Sequence, residues 1–563
     1  MDAHIRAYGG TGSLIARCFV LSLMVNPLVT PIDVYIYRMD LDDGKSAEGT
    51  NTDYDYLEKC VNAYNNLNQM GCRAFCSSSL SLDKRKDGTV SRSLKQVREL
   101  AYTLDSETAE NFDYSIKDTF IGGEPDGSRA LLLSALELSQ LTKQNKDGAY
   151  GDLSRNAFLA HPIRRGFKQE LKSLDLNDAG STVIYCGSTD GGTANTLLDP
   201  ELFELGEIMN QPTAGHNAQV YSVRTLPYKT HPTENATALE IAKSMVAQSS
   251  GVMKNILNSN TAPYNTYYKR AAMGGNDPYI LDGLVLVGYN VPNAAAFDNT
   301  NEDQNKSHLD HQFHYSHAVE FASALSIVDI LNGQVAAPAG QDSVFGYQVS
   351  NNGNPVELDD FIKRIGVEGH WNDADGNVFI TTIAKRMRTF AHLYAVVKLH
   401  MINDFDYSQY SDTKSAKKYV TAMNGYTRFP ILTKPLDEDI MDSIYEKLKD
   451  FIENAGYFMD MMYDIQNETS YDGNASIGFF PKGLNDLVEE REDGKQKDLE
   501  YSFTGLAIDA HRNYDWIKIT NTFGERLYYK KFWNIYKDAP TDPAAMTARL
   551  LEEVYEYLYK AIN

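Results

Sequence analysis

Residues 183–196 read V-I-Y-C-G-S-T-D-G-G-T-A-N-T, and this stretch decides the expected fold. The β-branched and aromatic residues at 182–185 are typical of a central β-strand. Gly187, Gly191 and Gly192 then allow a turn whose backbone N–H groups can approach an anion before a helix begins. The stretch therefore predicts a buried strand that leads into a phosphate loop, although a glycine-rich turn after a strand is, taken alone, more often a simple turn.

A second glycine-rich loop lies near the N-terminus, directly after a short strand expected at residues 4–8. Its residues are Gly9, Gly10, Thr11, Gly12 and Ser13, and an apolar helical run follows them. The order strand, glycine turn, helix is the one in which a helix N-terminus meets a phosphate. Two such loops in one chain favour a nucleotide site over two unrelated turns.

The segments between and after the two loops alternate between strands and helices. Further strands are expected at residues 31–37, 72–78, 219–226 and 281–289, and helices at 54–67 and 236–257. This alternation is typical of a doubly wound α/β fold with a parallel sheet. Asp40 follows the second strand, where an acidic side chain can bind a ribose or a metal, although a solvated loop carboxylate is equally consistent with the sequence.

Helical segments set the expected domain organisation. Residues 83–179 are mostly helical and charged in character, and we interpret them as an insertion that contains the tight turn Gly148, Ala149, Tyr150 and Gly151. A helix at about residues 313–331 precedes a Gly/Pro/Asn-rich stretch at 332–355, which indicates a boundary. Long helices are expected at 379–401, 438–462 and 544–562. The sequence thus predicts an α/β nucleotide-binding domain at residues 1–335 and a mainly helical C-terminal domain at 336–563.

The overall composition narrows the classes of partner. The chain has 563 residues and a formal net charge of −23 at pH 7, which argues against nucleic acid or an anionic membrane held by general basic character. The apolar run at residues 15–29 is interrupted by Arg17 and Asn26 and is too short for a membrane span, so it predicts a buried helix. Five cysteines without a paired motif favour reduced thiols and a cytoplasmic protein.

The order of these pieces resembles the tubulin and FtsZ superfamily, especially its divergent bacterial tubulin-like members. That family has a glycine loop after its first strand, another before its third helix, and the loop G-G-G-T-G-[ST]-G after its fourth strand. Later matches are Thr225-Leu226-Pro227-Tyr228 to the family's T-x-P-F, Glu234 before Asn-Ala-Thr, and Asn290 at the end of the sixth strand. The chain departs from the family where Asp190 and Ala194 replace glycines.

The resemblance implies a Rossmann-like, tubulin/FtsZ-type domain that binds GTP, or ATP, together with Mg²⁺. The implied nucleotide contacts are Gly9, Gly10, Thr11, Gly12, Ser13, Asp40, Gly148, Ala149, Tyr150, Gly151, Gly187, Ser188, Thr189, Asp190, Gly191, Gly192, Thr193, Ala194, Asn195, Glu234 and Asn290. Thr193 would donate to a phosphate, and Asn290 would contact the guanine base.

The resemblance also implies a catalytic group supplied by a neighbouring subunit. The family hydrolyses GTP with such a carboxylate, a role that Glu357, Asp359 or Asp360 would fill in this chain. Head-to-tail contacts of this kind produce open filaments, so a homo-oligomer or filament is the implied assembly. Taken one by one, acids at such positions more often stabilise a helix N-terminus.

Three other interpretations remain open. A Rossmann oxidoreductase that binds NAD(P) or flavin fits the first glycine loop with Asp40 downstream, although G-x-G-x-x-G is not met. A transition-metal site would use the histidines that recur every third residue with one acid, namely His308, Asp310, His311, His314 and His317. A non-catalytic scaffold is favoured by Asp190, because an aspartate beside a phosphate is unfavourable unless it holds a cation.

Overall fold

The structure is a computed structural model that describes the chain in separate ranges. The described residues are 2–39, 53–84, 180–188, 194, 198, 201–202, 205, 218–226, 229–230, 282–290, 297–298, 316–333, 335, 344–350, 362–365, 383, 385–394, 397, 438–468 and 542–562. The strands are β1 (Asp2–Tyr8), β2 (Asp33–Met39), β3 (Ser79–Leu82), β4 (Thr182–Ser188), β5 (Gln219–Thr225), β6 (Lys229–Thr230), β7 (Gly283–Asn290), β8 (Phe297–Asp298), β9 (Val344–Ser350) and β10 (Ile362–Ile365). The helices are α1 (Gly9–Val25), α2 (Asp53–Gln69), α3 (Ala318–Leu331), α4 (Glu438–Glu468) and α5 (Pro543–Ile562).

Eight of these strands form one sheet in the order β10-β9-β7-β5-β4-β1-β2-β3. Every neighbouring pair is parallel except β9 and β10, which are antiparallel. The order β3-β2-β1-β4-β5-β7 is that of a Rossmann sheet, since the chain builds outward from β1 on one side and from β4 on the other. The expected α/β, Rossmann-like arrangement is therefore confirmed, and β6 pairs with β8 in a separate two-stranded sheet.

Helix α1 is apolar on nearly all of its surface because other elements enclose it. It packs against β1 and β4 and against helices α2 and α3. Along β1, Ala3, Ile5 and Ala7 belong to the same hydrophobic core as α1, and polar residues alternate with them. A helix that is hydrophobic all round is typical of a protein core, as expected for the apolar run at residues 15–29. Within the described residues, no helix has the length and apolar character that a membrane span requires.

The C-terminal helices share a core with the N-terminal half of the chain. Helix α4 packs against both α2 and α5. Phe75 lies where these elements meet, with its ring centroid 5.6 Å from that of Phe390, 6.2 Å from that of Phe451 and 5.7 Å from that of Tyr555. One aromatic side chain following α2 therefore contacts the helical residues 385–394, α4 and α5.

The sheet continues beyond residue 335, the domain boundary expected from the sequence. Strand β9 pairs with β7 from Val344 to Ser350, and β10 adds to its other edge. The Gly/Pro/Asn-rich stretch at 332–355 thus contributes a strand to the sheet. The division into two domains remains a prediction for the chain as a whole.

Two expected elements differ from the structure. The strand predicted at residues 72–78 is a turn, in which Cys76 N donates to Cys72 O at 2.8 Å, and β3 begins only at Ser79. The position of β3 is set by Asn65 of α2, whose side-chain amide donates to Leu80 O at 2.7 Å and accepts from Leu80 N at 3.1 Å. The helix expected from about residue 313 begins at Ala318. From residue 85 onward, the predicted insertion at 83–179 lies outside the described residues.

Candidate functional site

Strands β1 and β4 are neighbours at the point where the strand order of the sheet reverses. β1 pairs with β2 on one side and with β4 on the other, so the chain leaves these two neighbours in opposite directions. In open α/β sheets, ligands bind outside the carboxyl ends of the strands at such a switch point. Both predicted glycine loops begin here, because Tyr8 ends β1 and Ser188 ends β4.

The first glycine loop forms the first turn of α1 itself. Gly9 has a φ of 69°, which favours glycine, and the helix begins at this residue. Tyr8 precedes the helix in an extended conformation and makes no side-chain capping hydrogen bond. The N–H groups of a first helical turn carry partial positive charge and require acceptors from outside the helix. A Cβ atom on Gly10 would meet no described atom within 4 Å, which leaves space beside this turn for a ligand.

Gly12 brings the helix into direct backbone contact with the sheet. A Cβ atom at this position would lie 2.7 Å from the carbonyl carbon of Ala7 and 3.0 Å from the carbonyl oxygen of Cys186. Both neighbours are backbone atoms of β1 and β4, which cannot move aside as a flexible side chain can. Glycine is therefore required for α1 to begin between the ends of these two strands.

Gly187 makes the corresponding close approach from β4. Its Cβ atom would lie 3.2 Å from the carbonyl oxygen of Tyr8 and 3.0 Å from the Cβ atom of Ala194. The two predicted loops thus start within van der Waals contact of each other. We call residues 9–13 together with Gly187 and Ser188 the glycine cradle.

An ion pair lies on the opposite face of the sheet from α1. Side chains alternate along a strand, so Arg6 of β1 points away from the core that contains Ala7. The Arg6 guanidinium pairs with the Glu201 carboxylate, and both side chains are fully buried. The Tyr185 hydroxyl of β4 donates to Glu201 Oε1 at 3.5 Å. Burial raises the pKa of Glu201 to about 7, an effect that the positive charge of Arg6 opposes.

Two hydroxyl groups at the cradle are buried without a described partner. The Tyr8 ring stacks on that of Tyr185 with centroids 6.1 Å apart. Tyr8 Oη and Ser13 Oγ are fully buried and form no hydrogen bond with the described residues. Because buried polar atoms are normally paired, both hydroxyls are candidates for contact with a bound ligand. Ser13 is a predicted site residue, whereas sequence reasoning missed Tyr8.

The structure brings together the predicted residues of the first loop and the three described residues of the second. These are Gly9, Gly10, Thr11, Gly12 and Ser13 of α1, with Gly187, Ser188 and Ala194 beside them. Asn290 ends β7, two strands away from β4 in the sheet, and only its backbone is described.

The other predicted site residues lie outside the described residues, and their roles stay predictions. They are Asp40, Gly148, Ala149, Tyr150, Gly151, Thr189, Asp190, Gly191, Gly192, Thr193, Asn195, Glu234, Glu357, Asp359 and Asp360.

His317, the last member of the histidine series, caps helix α3. Its Nδ1 accepts from Val319 N at 3.1 Å, and its own N–H donates to Glu320 Oε2 at 2.8 Å. This reciprocal arrangement is a capping box and gives His317 a structural role. His308, Asp310, His311 and His314 lie outside the described residues. In the part of the chain that the structure describes, no cluster of three or more His, Cys, Asp or Glu side chains is placed to hold a metal ion.

Sequence reasoning also missed the buried charges beside the cradle, which are Arg6, Glu201 and Arg224. One feature that points to them is the placement of a charge inside a strand of otherwise buried character, as in D-A-H-I-R-A-Y at residues 2–8. A buried charge requires a partner. The identity of that partner depends on tertiary packing and is not visible in the local sequence.

Comparison of the chain with models of protein families, with curated proteins and with solved structures found no match. The strand order and the glycine cradle are therefore the features from which a function can be inferred.

Proposed function

We propose that this chain is a tubulin-like nucleotide-binding protein, which binds GTP at the glycine cradle and hydrolyses it when copies assemble head to tail. The observation that carries the proposal is that β4 ends, at Gly187 and Ser188, beside the first glycine loop, at a helix N-terminus and at the switch point of a parallel sheet. Such a place combines oriented N–H groups, space for the phosphates and a helix dipole that favours negative charge.

Backbone groups would hold the phosphates in this proposal. The chain carries a net charge of −23, and the described part of the cradle contains glycines and hydroxyl side chains rather than Lys or Arg. N–H groups at a helix start bind anions without a positive side chain. Thr11 and Ser13 would supply hydroxyl donors, and Thr193 and Asn290 would add the phosphate and base contacts that the family resemblance implies.

Hydrolysis in this proposal depends on a second copy of the chain. Glu357, Asp359 or Asp360 would orient the attacking water at the cradle of the next subunit, and Mg²⁺ would neutralise charge on the phosphates. A contact between two different surfaces of identical subunits does not close on itself and so produces an open filament.

A dinucleotide such as NAD(P) or FAD is the second candidate ligand. The strand order β3-β2-β1-β4-β5-β7 is favourable to it, because classical dinucleotide-binding domains have the same order. The cradle differs in including the end of β4, where Gly187 closely approaches the carbonyl oxygen of Tyr8.

A ligand screen followed by sedimentation tests the proposal. Purified protein is heated with Mg²⁺ and GTP, ATP, GDP, NADPH or FAD, and a ligand at 100 times its Kd adds about 2.7 kcal/mol to the free energy of unfolding. We expect GTP to raise Tm by several degrees, and the same samples to pellet and release phosphate. A shift by NADPH or FAD alone would replace the proposal with the oxidoreductase, and a GTP shift without pelleting or phosphate release would leave a nucleotide-binding scaffold.

A substitution in the cradle tests whether the GTP-dependent rise in Tm comes from binding at this site. Gly10→Leu places a bulky side chain in the open space beside the first turn of α1, where a Cβ atom meets no described atom within 4 Å. We expect it to abolish the GTP-dependent rise in Tm while the protein without nucleotide melts as before. Gly10→Ala, the matched control, should keep most of the rise. A Gly10→Leu protein that still responds to GTP would place the nucleotide elsewhere.

A further inference from the structure

We propose that the hydroxyl group of Tyr8 donates a hydrogen bond to a phosphate oxygen of the nucleotide, a side-chain contact that neither glycine loop contains. The inference rests on the proposed nucleotide site. Tyr8 ends β1 and lies directly before Gly9, the first residue of α1. Its side chain therefore starts from the same backbone turn whose N–H groups are proposed to bind the phosphates.

Four buried polar side chains lie along β1 on the face of the sheet opposite α1, because they alternate with the core residues of the strand. These are Asp2, His4, Arg6 and Tyr8. The carboxylate accepts a hydrogen bond from Ser181, the imidazole Nδ1 lies 3.1 Å from the Tyr37 hydroxyl oxygen, and the guanidinium pairs with Glu201. The Tyr8 hydroxyl, which lies at the carboxyl end of this series, has no hydrogen-bond partner among the described residues.

Other buried tyrosines show that this hydroxyl is an exception. Tyr64 accepts a hydrogen bond from the backbone N–H of Ser78 at 3.2 Å, and Tyr221 donates to the carbonyl oxygen of Val335 at 3.1 Å. A buried hydroxyl without a partner costs free energy that a phenylalanine of the same shape would avoid. The hydroxyl of Tyr8 therefore indicates a partner beyond the described residues, and a ligand bound beside Gly9 would supply it.

Two neighbours on β4 hold the Tyr8 ring in place. The ring stacks on that of Tyr185 with centroids 6.1 Å apart and an angle of 19° between the ring planes. A Cβ atom on Gly187 would lie 3.3 Å from the Tyr8 Cβ atom, so the glycine leaves the space that Tyr8 occupies. Because ordering a side chain on binding costs free energy, a ring that is already fixed retains more of the energy of its hydrogen bond to a charged phosphate.

The test compares Tyr8→Phe with a matched control, Tyr37→Phe. Each substitution removes one oxygen atom from a fully buried ring on the same face of the sheet, but the Tyr37 hydroxyl has a protein partner in His4. Three properties are measured in the presence of Mg²⁺: Tm without nucleotide, Kd for GTP, and Kd for guanosine from displacement of a fluorescent GTP analogue.

We expect Tyr8→Phe to weaken GTP binding roughly ten- to hundredfold, the loss expected for one hydrogen bond to a charged group. Guanosine binding should not change, because guanosine carries no phosphate. Tm without nucleotide should stay the same or rise, since no hydrogen bond within the described residues is lost. Tyr37→Phe should give the opposite result, with a lower Tm and an unchanged Kd for GTP.

Equal GTP affinity of wild type and Tyr8→Phe would overturn the inference and leave the proposed function standing. An equal loss of affinity for GTP and guanosine would also overturn it, because the hydroxyl would then contact the nucleoside. If the wild-type protein bound neither GTP nor guanosine, the proposed function and the inference would both fail.

Discussion

Gly12 and Ala7 are in such close contact that no larger residue fits at position 12. A Cβ atom there would lie 2.7 Å from the Ala7 carbonyl carbon, well inside normal van der Waals distance. The contact places the start of α1 directly on the end of β1 and thereby defines the floor of the glycine cradle.

Gly12→Ala should therefore destabilise the protein although alanine favours helices. Overpacking against fixed backbone typically costs about 1–3 kcal/mol, which exceeds the gain of up to about 1 kcal/mol from helix propensity. Gly10→Ala is the control, because it has the same propensity gain and no clash. Urea unfolding monitored by circular dichroism measures both. Equal stability of the two variants would show that α1 can move away from β1 at little cost.

The pH dependence of stability should report the ionisation of Glu201. Burial raises its pKa from 4.5 to about 7, so the folded protein keeps this proton to a higher pH than the unfolded chain does. The folded state then binds more protons between these values, and stability falls as pH rises from about 4.5 to 7. Urea unfolding of wild type and of Glu201→Gln from pH 5 to 8 measures the pH dependence of the free energy of unfolding. We expect the free energy of unfolding of wild type, relative to that of Glu201→Gln, to decline as pH rises. Identical pH profiles of the two proteins would contradict the raised pKa of Glu201.

His392 should contribute a pH dependence of the opposite sign. Burial lowers the pKa of this side chain from 6.5 to about 4, and its Nδ1 lies 2.7 Å from the carbonyl oxygen of Arg388. The folded state disfavours the protonated ring, so stability is lost as pH falls from about 6.5 towards 4. His392→Phe should remove this loss, which amounts to roughly 3 kcal/mol. Thermal unfolding of wild type and of His392→Phe at pH 4.5 and pH 7.5 tests this prediction. An equal acid-induced drop in Tm in the two proteins would show that His392 does not cause the loss of stability.

Much of the sheet could be predicted because strand-forming residues, with glycines at the strand ends, are visible in the sequence. Glycines follow β1 and lie at the end of β4, and β-branched or aromatic residues are frequent in β4 and β5, so the expected and observed bounds agree within about three residues. The prediction of a strand at 72–78 was wrong because apolar residues such as Cys72 and Phe75 occur there. These residues form a turn that is buried beneath the C-terminal helices. A short apolar run in the sequence does not distinguish a buried turn from a buried strand.

Only part of the candidate site could be predicted in the same way. The glycines of the cradle could be predicted because they lie between a strand and a helix that are consecutive in the sequence. The pairing of Arg6 with Glu201 joins residues far apart in the chain, and it arises only when β1 and β4 become neighbours. Strand β9 was missed for a related reason, since its pairing with β7 overrides the turn-rich composition around it.

The five cysteines should be unreactive in the folded protein. All five are buried, and burial raises the pKa of Cys186 to about 12 and those of Cys18, Cys72 and Cys76 well above their ordinary value. Because the thiolate is the reactive form, fewer than one thiol should react with Ellman's reagent at pH 8, and all five should react in denaturant. A rapidly reacting thiol in the native protein would contradict the burial of these residues.

Phe75 should couple the stability of the C-terminal helices to that of the sheet. Its ring contacts Phe390, Phe451 and Tyr555, which belong to three different C-terminal segments. Phe75→Ala would leave a cavity among them and should lower the free energy of unfolding by about 3–5 kcal/mol. Removing an exposed ring, as in Tyr457→Ala on α4, should cost far less, because Tyr457 is 38% exposed. Denaturant unfolding followed by circular dichroism and by tryptophan fluorescence should give one shared transition in wild type and in Phe75→Ala; two separate transitions in the wild type would show that the helices and the sheet unfold as independent units.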